Sequence, residues 1–190
     1  MTEKQKRDAG EIYNPNYDKE LGLEIVSCKD KCHKYNRLLL VDSDERKKLL
    51  DEILGKHGEN TTILSPFWCD YGYNVEVGDN FFANHNCVIL DGAKVCFGDN
   101  CFIAPNCSFY TAGHPISVTE RNKGLEYAYP ITVGNSVWIG GNVTVLPGVT
   151  IGDNVVIGAG SVVTKDIPSG VMAFGNPCRV YRELTEEEMK

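Results

Sequence analysis

A six-residue rhythm begins at Ser65 and ends at Pro168, and it constrains the fold more than any other feature of the chain. It is most regular between Val133 and Val163, where each unit opens with a branched aliphatic residue that is usually followed by a small one. Residues two apart in a strand share a face, so the opening aliphatic and the residue four positions later both point inward. We expect the small residue, most often Gly, to supply the backbone dihedrals of a bend. The repeat predicts a parallel β-helix, in which only stacked coils bury the apolar column.

The rhythm continues in weaker form toward the N-terminus and is interrupted once. Its earlier units open at Ser65, Tyr71, Val77, Ala83 and Ile89, and two extra residues precede the unit at Phe97. After Tyr110 the rhythm stops, and it resumes only at about Ile131. An irregular excursion of this length inside a compact domain is typical of a functional loop. The sequence therefore predicts an active-site loop over residues 111–130.

Three regions are predicted on this basis. Residues 1–60 form a helical cap, residues 61–170 form the β-helix with the loop 111–130, and residues 171–190 form a tail with a short helix. Candidate helices follow a capping box of Thr2 with Gln5, the helical spacing from Leu21 to Tyr35, and a capping box of Asp42 with Glu45; Thr185 is the expected cap of the last helix. The helices would cover the first coil, whose open edge exposes backbone pairing groups.

Composition excludes several classes of partner. The net charge of −7 argues against nucleic acid and against an anionic membrane surface as the main partner. No apolar run approaches the roughly 20 residues that span a bilayer, and no apolar signal segment follows the N-terminal residues. We expect a soluble, cytoplasmic protein.

Six of the eight cysteines are expected to fill the core rather than to bind metal. Four of them occupy the slot that holds valine in other units: Cys69, Cys87, Cys101 and Cys107. Cys28 and Cys32 are four apart on a predicted helix, and the chain has no Cys-x-x-Cys pair. A free cysteine behaves as a small buried hydrophobe. We expect no metal site, and Cys96 and Cys178 remain open.

His114 is the candidate catalytic base among the four histidines. It lies in the loop that breaks the rhythm, between Gly113 and Pro115, whereas His33 and His57 have surroundings typical of a surface. Histidine suits proton transfer because its ordinary pKa lies near neutrality. The residues alone fit a polar loop histidine equally well. His85 is expected to pack or to line a pocket rim.

Several segments carry a family resemblance that covers nearly the whole chain. They are residues 9–13 (Ala-Gly-Glu-Ile-Tyr), the Tyr-Asn pair at 35–36, Gly-His-Pro at 113–115, Val-Trp-Ile-Gly at 137–140, residues 158–168 and Asn-Pro-Cys-Arg-Val at 176–180. The chain resembles the maltose and galactoside O-acetyltransferases. The resemblance implies a left-handed β-helix, a homotrimer with active sites between subunits, and direct transfer of acetyl from acetyl-coenzyme A to a sugar hydroxyl.

The resemblance also implies roles for individual residues: His114 is the general base, and Asp70 and Asp91 line the acceptor pocket. A base needs an orienting partner, and Glu126, on the same loop, could hold the His114 imidazole or bind acceptor hydroxyls. Asn84 stands in a slot that is Gly in neighbouring units and matches an acceptor-site Asn of the family. Glu126 fits a solvated loop charge equally well, and without the resemblance each Asp would pass as a turn residue.

Coenzyme A contacts follow in the same way. Small residues, Gly141 and Ala159, would let the pantetheine arm lie against the backbone. The phosphates would meet Thr164, Lys165, Arg179 and Arg182, which group after the last coil of an acidic protein.

One departure from the family concerns the acceptor. The galactoside enzymes use an Asp and an Arg near the N-terminus to hold the sugar, whereas this chain has Asn-Pro-Asn at 14–16 and no arginine between Asp8 and Arg37. A maltose- or glucose-type sugar is therefore favoured over a galactoside.

Three alternatives stay open. They are a non-sugar hydroxyl acceptor (an antibiotic or an amino acid), a non-catalytic β-helix scaffold, and a zinc carbonic anhydrase. The last is disfavoured because only His85 and His114 of the repeat region could bind the metal.

Overall fold

The computed structural model, which describes residues 1–190, shows three parallel β-sheets arranged as the faces of a triangular prism. The first face contains β1 (Lys56–His57), β4 (Val75–Val77), β7 (Val95–Phe97), β12 (Ile131–Val133) and β15 (Thr150–Ile151). The second contains β2 (Thr62–Ile63), β5 (Phe82–Ala83), β8 (Phe102–Ile103), β13 (Trp138–Ile139), β16 (Val156–Ile157), β18 (Val171–Gly175) and β19 (Cys178–Glu183). The third contains β3 (Phe67–Cys69), β6 (Cys87–Leu90), β9 (Ser108–Tyr110), β14 (Thr144–Val145) and β17 (Val162–Val163).

The chain visits the first, second and third faces in turn, so each circuit is one coil of a β-helix. Side chains at the ends of the short strands point inward and form one buried core, which includes Val95, Ile103, Ile131 and Val145. Burying one such side chain contributes about 1.5–3 kcal/mol. A single coil could not bury these side chains, because its neighbours above and below cover them. The parallel β-helix predicted from the rhythm is confirmed.

The predicted register is correct in the later coils and wrong in the first. His57 pairs with Val77 and Val77 with Phe97, so the early coils are 20 residues long, while Thr132 pairs with Thr150 in a coil of 18. The two extra residues follow the third face in each early coil. The inward residues before Val77 are consequently Ile63 and Cys69, and the expected unit openings at Ser65 and Tyr71 are wrong.

The glycines after the aliphatic residues serve close packing between coils rather than a special dihedral angle. The positive φ angles of these turns fall two residues later, as at Asn80 (56°) and Asn100 (57°). A Cβ on Gly78 would lie 2.3 Å from Oδ1 of Asp99, which belongs to the next coil. The expectation that glycine supplies the bend dihedrals is therefore wrong at this position, because asparagine tolerates the left-handed region there.

Three helices precede the first coil: α1 (Glu3–Asp8), α2 (Lys19–Arg37) and α3 (Ser43–Ile53). The capping box of Thr2 with Gln5 is present on α1. The one predicted for α3 is not, because the Asp42 carboxylate accepts a hydrogen bond from the backbone N–H of Leu39 instead. The cap also ends earlier than the predicted residue 60, because β1 already belongs to the first coil.

The C-terminal region differs from the predicted tail and short helix. Strand β18 pairs in parallel with β16 and β19 returns antiparallel beside it, so the second face continues to Glu183. Thr185 accepts a hydrogen bond from the N–H of Glu188, but the segment makes a single turn rather than a helix. No helix in the structure has the length and apolar character needed to cross a membrane.

Candidate active site

Two edges of the prism carry the residues singled out from the sequence. We call the turns between the third and first faces the loop corner; its segments are residues 70–74, 91–94, 111–130, 146–149 and 164–166. We call the turns between the second and third faces the Asn84 corner; its segments are residues 64–66, 84–86, 104–107, 140–143 and 158–161.

The loop 111–130 is an ordered hairpin that leaves the loop corner between Tyr110 and Ile131. Its base is the antiparallel pair β10 (Ala112–Gly113) and β11 (Tyr127–Ala128), and its tip carries α4 (Val118–Asn122). Gly113 pairs with Tyr127, which places the next residues, His114 and Glu126, opposite each other. A Cβ on Gly113 would lie 2.4 Å from the Tyr127 hydroxyl, so this approach requires glycine.

The N-terminal segment adds a third strand-like contact to this hairpin. Tyr13 and Glu126 exchange two backbone hydrogen bonds, of 3.0 and 2.8 Å. The side-chain amides of Asn14 and Asn16 donate to the carbonyls of Lys123 and Gly124, each at 2.9 Å. The Asn-Pro-Asn segment, which the sequence marked as a departure on the acceptor side, therefore holds the loop in place.

The hydrogen bonding of His114 fixes its tautomer. Its Nδ1 lies 2.9 Å from the backbone carbonyl of Leu125, and a carbonyl can only accept, so Nδ1 carries the proton. Nε2 then presents a lone pair, as a general base requires, and it lies 3.9 Å from Oε1 of Glu126. The imidazole is half exposed, at 49%, and open to a substrate.

Glu126 is well placed to stabilise a protonated His114. Its carboxyl is only 19% exposed, and this burial raises its pKa, while the nearby His114 acts in the opposite direction. The Tyr13 hydroxyl donates to Oε2 at 3.3 Å and holds the other oxygen. Sequence reasoning missed the Leu125 carbonyl and Tyr13. Only the hairpin register could have revealed the first, and the second comes from a segment more than a hundred positions away.

Asp91 is fully buried at the loop corner with one oxygen free. Oδ1 accepts backbone N–H groups from Asp70 and Tyr71 at 2.8 and 2.9 Å, whereas Oδ2 is buried without a hydrogen-bond partner. Burial raises the pKa of Asp91 to about 6. The Asp70 carboxylate accepts a hydrogen bond from Lys29 Nζ at 2.7 Å, a partner on α2 that the sequence did not indicate. Asp91 therefore fixes the backbone of this corner from within, whereas the Asp70 side chain, 24% exposed, is the carboxylate that a ligand hydroxyl can reach.

The remaining candidate residues lie away from His114. Asn84, whose Oδ1 accepts the backbone N–H of His85 at 2.8 Å, shares the Asn84 corner with Gly141 and Ala159. Thr164 and Lys165 lie on the loop corner after the third face of the last full coil. Arg179 and Arg182 lie on β19, and Arg182 forms a two-pronged ion pair with Glu188, with both contacts at 2.7 Å. One chain thus unites His114, Glu126, Asp70 and Asp91 but keeps Asn84, Gly141 and Ala159 on another edge.

Two family models match the chain. One, described as the maltose acetyltransferase hexapeptide capping motif, matches residues 6–58, and one described as the bacterial transferase hexapeptide (six repeats) matches residues 130–165. A relative from Saccharomyces cerevisiae, provisionally named an acetyltransferase, is 55% identical over 94% of this chain and 91% of its own length.

Solved structures agree in fold over the full length. A galactoside acetyltransferase in complex with coenzyme A superposes with a TM-score of 0.95 at 41% identity, covering 100% of this chain and 94% of that one. A maltose O-acetyltransferase from Clostridium difficile 630 gives a TM-score of 0.90 at 47% identity, covering 98% and 99%. The chain therefore belongs to the maltose and galactoside acetyltransferase family, whose members are acetyltransferases built on a hexapeptide-repeat β-helix.

Proposed function

We propose that this protein transfers the acetyl group of acetyl-coenzyme A directly to a hydroxyl of a maltose- or glucose-type sugar, with His114 as the general base. The observation that carries the proposal is the tautomer of His114, whose Nδ1 is committed to the Leu125 carbonyl and whose Nε2 is free. The resemblance to enzymes solved with coenzyme A or acetyl-coenzyme A supports the donor. Because this donor is an intracellular metabolite, the reaction belongs in the cytoplasm.

The proposed reaction needs one group that first accepts a proton from the sugar hydroxyl and then donates it to the leaving thiolate. As the sugar hydroxyl oxygen bonds to the thioester carbonyl carbon, its proton passes to Nε2 of His114. The tetrahedral intermediate then collapses, the carbon–sulfur bond breaks, and the imidazolium returns the proton to the departing thiolate of coenzyme A. Glu126, 3.9 Å from Nε2, stabilises the imidazolium while it exists.

Hydroxyl acceptors at the loop corner favour a polyol as substrate. Oδ2 of Asp91 is buried and unpaired, and the Asp70 carboxylate has Lys29 as its only side-chain partner. A sugar hydroxyl would donate to the Asp70 carboxylate, whose side chain is 24% exposed. Asp91, which is fully buried, would line the pocket from beneath by holding the backbone of Asp70 and Tyr71. Asn84 would donate its amide to the sugar or to the thioester oxygen.

A complete site requires a second copy of the chain, and we propose a homotrimer. His114 and Asn84 lie on different edges of the prism, so a groove between two chains would bring the loop corner of one against the Asn84 corner of its partner. The outer side of the second face supports such a contact. Phe102 and Trp138 pair in register there and are 52% and 56% exposed. Apolar side chains in such a ladder favour association.

Coenzyme A would lie along that groove. Gly141 and Ala159 leave space beside the backbone for the pantetheine arm. Thr164, Lys165, Arg179 and Arg182 would meet the pyrophosphate and the 3′-phosphate, although Arg182 first has to leave Glu188.

The deciding experiment measures thiol release from acetyl-coenzyme A across maltose, glucose, galactosides and chloramphenicol-like acceptors, with the wild type and His114→Ala. We expect the highest rate with maltose or glucose. We also expect a loss of at least ~100-fold in His114→Ala, whose exposed side chain leaves the fold intact. His33→Ala, which removes an exposed histidine of α2 outside both corners, is the matched control and should keep near-normal activity.

Other outcomes would reject parts of the proposal. Turnover confined to chloramphenicol-like acceptors would favour a non-sugar substrate. An acetylated enzyme trapped with acetyl-coenzyme A alone would contradict direct transfer. Absence of coenzyme A binding by calorimetry would leave a non-catalytic scaffold.

A further inference from the structure

Three of the eight cysteines meet where α2 packs against the third face. Cys28 and Cys32 lie four residues apart, which places both on the side of α2 that faces β3, where Cys69 ends the strand. The Sγ atom of Cys69 lies 3.5 Å from that of Cys28 and 3.7 Å from that of Cys32, and all three sulfur atoms lie within 4.8 Å of one another.

These separations match the edges of a metal–thiolate polyhedron. With a zinc–sulfur bond of about 2.3 Å and tetrahedral angles, neighbouring sulfur atoms are roughly 3.8 Å apart. The two short edges are therefore within a few tenths of an ångström of that geometry. A disulfide, at about 2.0 Å, would require a much larger movement of a buried strand and helix.

A charged pair lies beside the three thiols. The Lys29 ammonium lies near Cys32 and Cys69 and holds Asp70 at 2.7 Å. A divalent ion with three thiolates keeps a net charge of about −1, beside a Lys29–Asp70 pair that is neutral as a whole.

The cluster also has an entry path. Cys28 lines a cavity of about 390 Å³ together with Glu24, Ser27, Lys31 and Tyr73. Through it an ion could reach Cys28, and water could occupy a fourth ligand position. Cys32 and Cys69 do not line this cavity and are fully buried.

We propose that Cys28, Cys32 and Cys69 form a binding site for a thiophilic d10 metal ion such as Zn²⁺ or Cu⁺. This assignment departs from the expectation, drawn from the sequence, of core filling without metal. The three residues are buried, as that expectation holds, but the sequence does not show that their sulfur atoms meet. The ion would fasten α2 to the first coil next to Asp70 and is independent of the proposed acetyl transfer.

The test uses Cd²⁺ as a spectroscopic probe, titrated into the full-length, reduced and chelator-treated protein. Thiolate-to-cadmium charge-transfer absorption should saturate at one ion per chain. Cys69→Ala should weaken Cd²⁺ binding at least ~100-fold, because it removes the thiolate that lies close to both of the other two. The control Cys87→Ala removes an equally buried cysteine of the same face and should leave binding unchanged. Unchanged binding in Cys69→Ala, or no absorption in the wild type, would overturn the proposal.

A second measurement needs no substitution and so does not depend on how the variants fold. Under partial unfolding in urea, Cd²⁺ should slow alkylation of Cys28, Cys32 and Cys69, read by mass spectrometry, relative to that of Cys96, which is half-buried outside the cluster. Equal slowing at all four positions, or no slowing at the three, would count against the site.

Discussion

At the scale of single residues, the backbone rather than another side chain sets the tautomer of His114, the proposed base. The Leu125 carbonyl holds Nδ1 of His114 protonated, and the Glu126 carboxylate lies 3.9 Å from Nε2. The sequence offered Glu126 as an orienting partner or as an acceptor ligand. The proposed mechanism gives it a third role, electrostatic support of the imidazolium. A carbonyl contact of this kind has no residue signature, which is why it could not be predicted.

Glu126→Gln tests that role. Glutamine keeps the contact to Tyr13 but removes the negative charge, so the imidazolium loses its support in the transition state. We expect kcat to fall about tenfold with little change in KM for the sugar. Steady-state kinetics measure this, and Glu120→Gln, on the exposed tip of the loop, is the control. A rise in KM alone would instead make Glu126 an acceptor ligand.

Asp91→Asn tests the cost of the buried carboxyl. Its pKa of about 6 in the fold lies above the ordinary value of 3.8, so protonation favours folding. The associated stability is complete below about pH 3.8 and is lost as the pH rises through 6. Between those limits the free energy of unfolding of the wild type should fall by up to about 3 kcal/mol relative to Asp91→Asn. Urea unfolding of both proteins at the two pH limits measures this difference in the free energy of unfolding. The same pH dependence in the wild type and in Asp91→Asn would contradict the prediction.

At the scale of elements, the sequence predicted boundaries better than pairings. The end of the rhythm at Tyr110 located the loop 111–130, because the loss of regularly spaced aliphatic residues can be seen in the sequence itself. The hairpin within it rests on strands of two residues, β10 and β11, which carry no periodic signal. At the C-terminus, Thr185 with Glu188 resembled a helix cap, but Glu188 binds Arg182 and β19 takes the edge of the second face.

Glu188→Gln should release Arg182 for coenzyme A. The carboxylate competes with phosphate for the same guanidinium, so its removal should lower KM for acetyl-coenzyme A about two- to fivefold and leave kcat unchanged. Initial rates at varied acetyl-coenzyme A test this, with Glu187→Gln as the neighbouring control. Because the pair is exposed, the difference should shrink in high salt. An unchanged KM at low salt would show that Arg182 does not meet the phosphates.

At the scale of the whole molecule, the proposed trimer divides the site between the loop corner of one chain and the Asn84 corner of another. The hexapeptide pattern could predict the β-helix, and the family resemblance could identify candidate site residues such as His114 and Asn84. Neither shows that His114 and Asn84 occupy different edges, because that depends on which face each turn follows. The early coils, with their extra residues, also made the first unit openings unreadable from the sequence.

Mixing two inactive variants tests this division. When His114→Ala and Asn84→Ala chains are refolded together, about one quarter of the shared sites should combine an intact His114 with an intact Asn84. We therefore expect activity to reappear in the mixture, measured as thiol release, while each variant alone stays inactive. Mixing the two after separate refolding is the control. No recovery in correctly assembled mixtures would place both residues in one chain's site.

The change in coil length from 20 to 18 residues has a bearing on how such a protein diversifies. The two surplus residues and the whole of the loop 111–130 enter at the same edge, and the strands on either side keep their partners. Length can therefore be gained or lost there without displacing the apolar column. In the proposed site this edge also carries the residues that contact the acceptor, so insertion there could alter the acceptor pocket while the folded core stays unchanged.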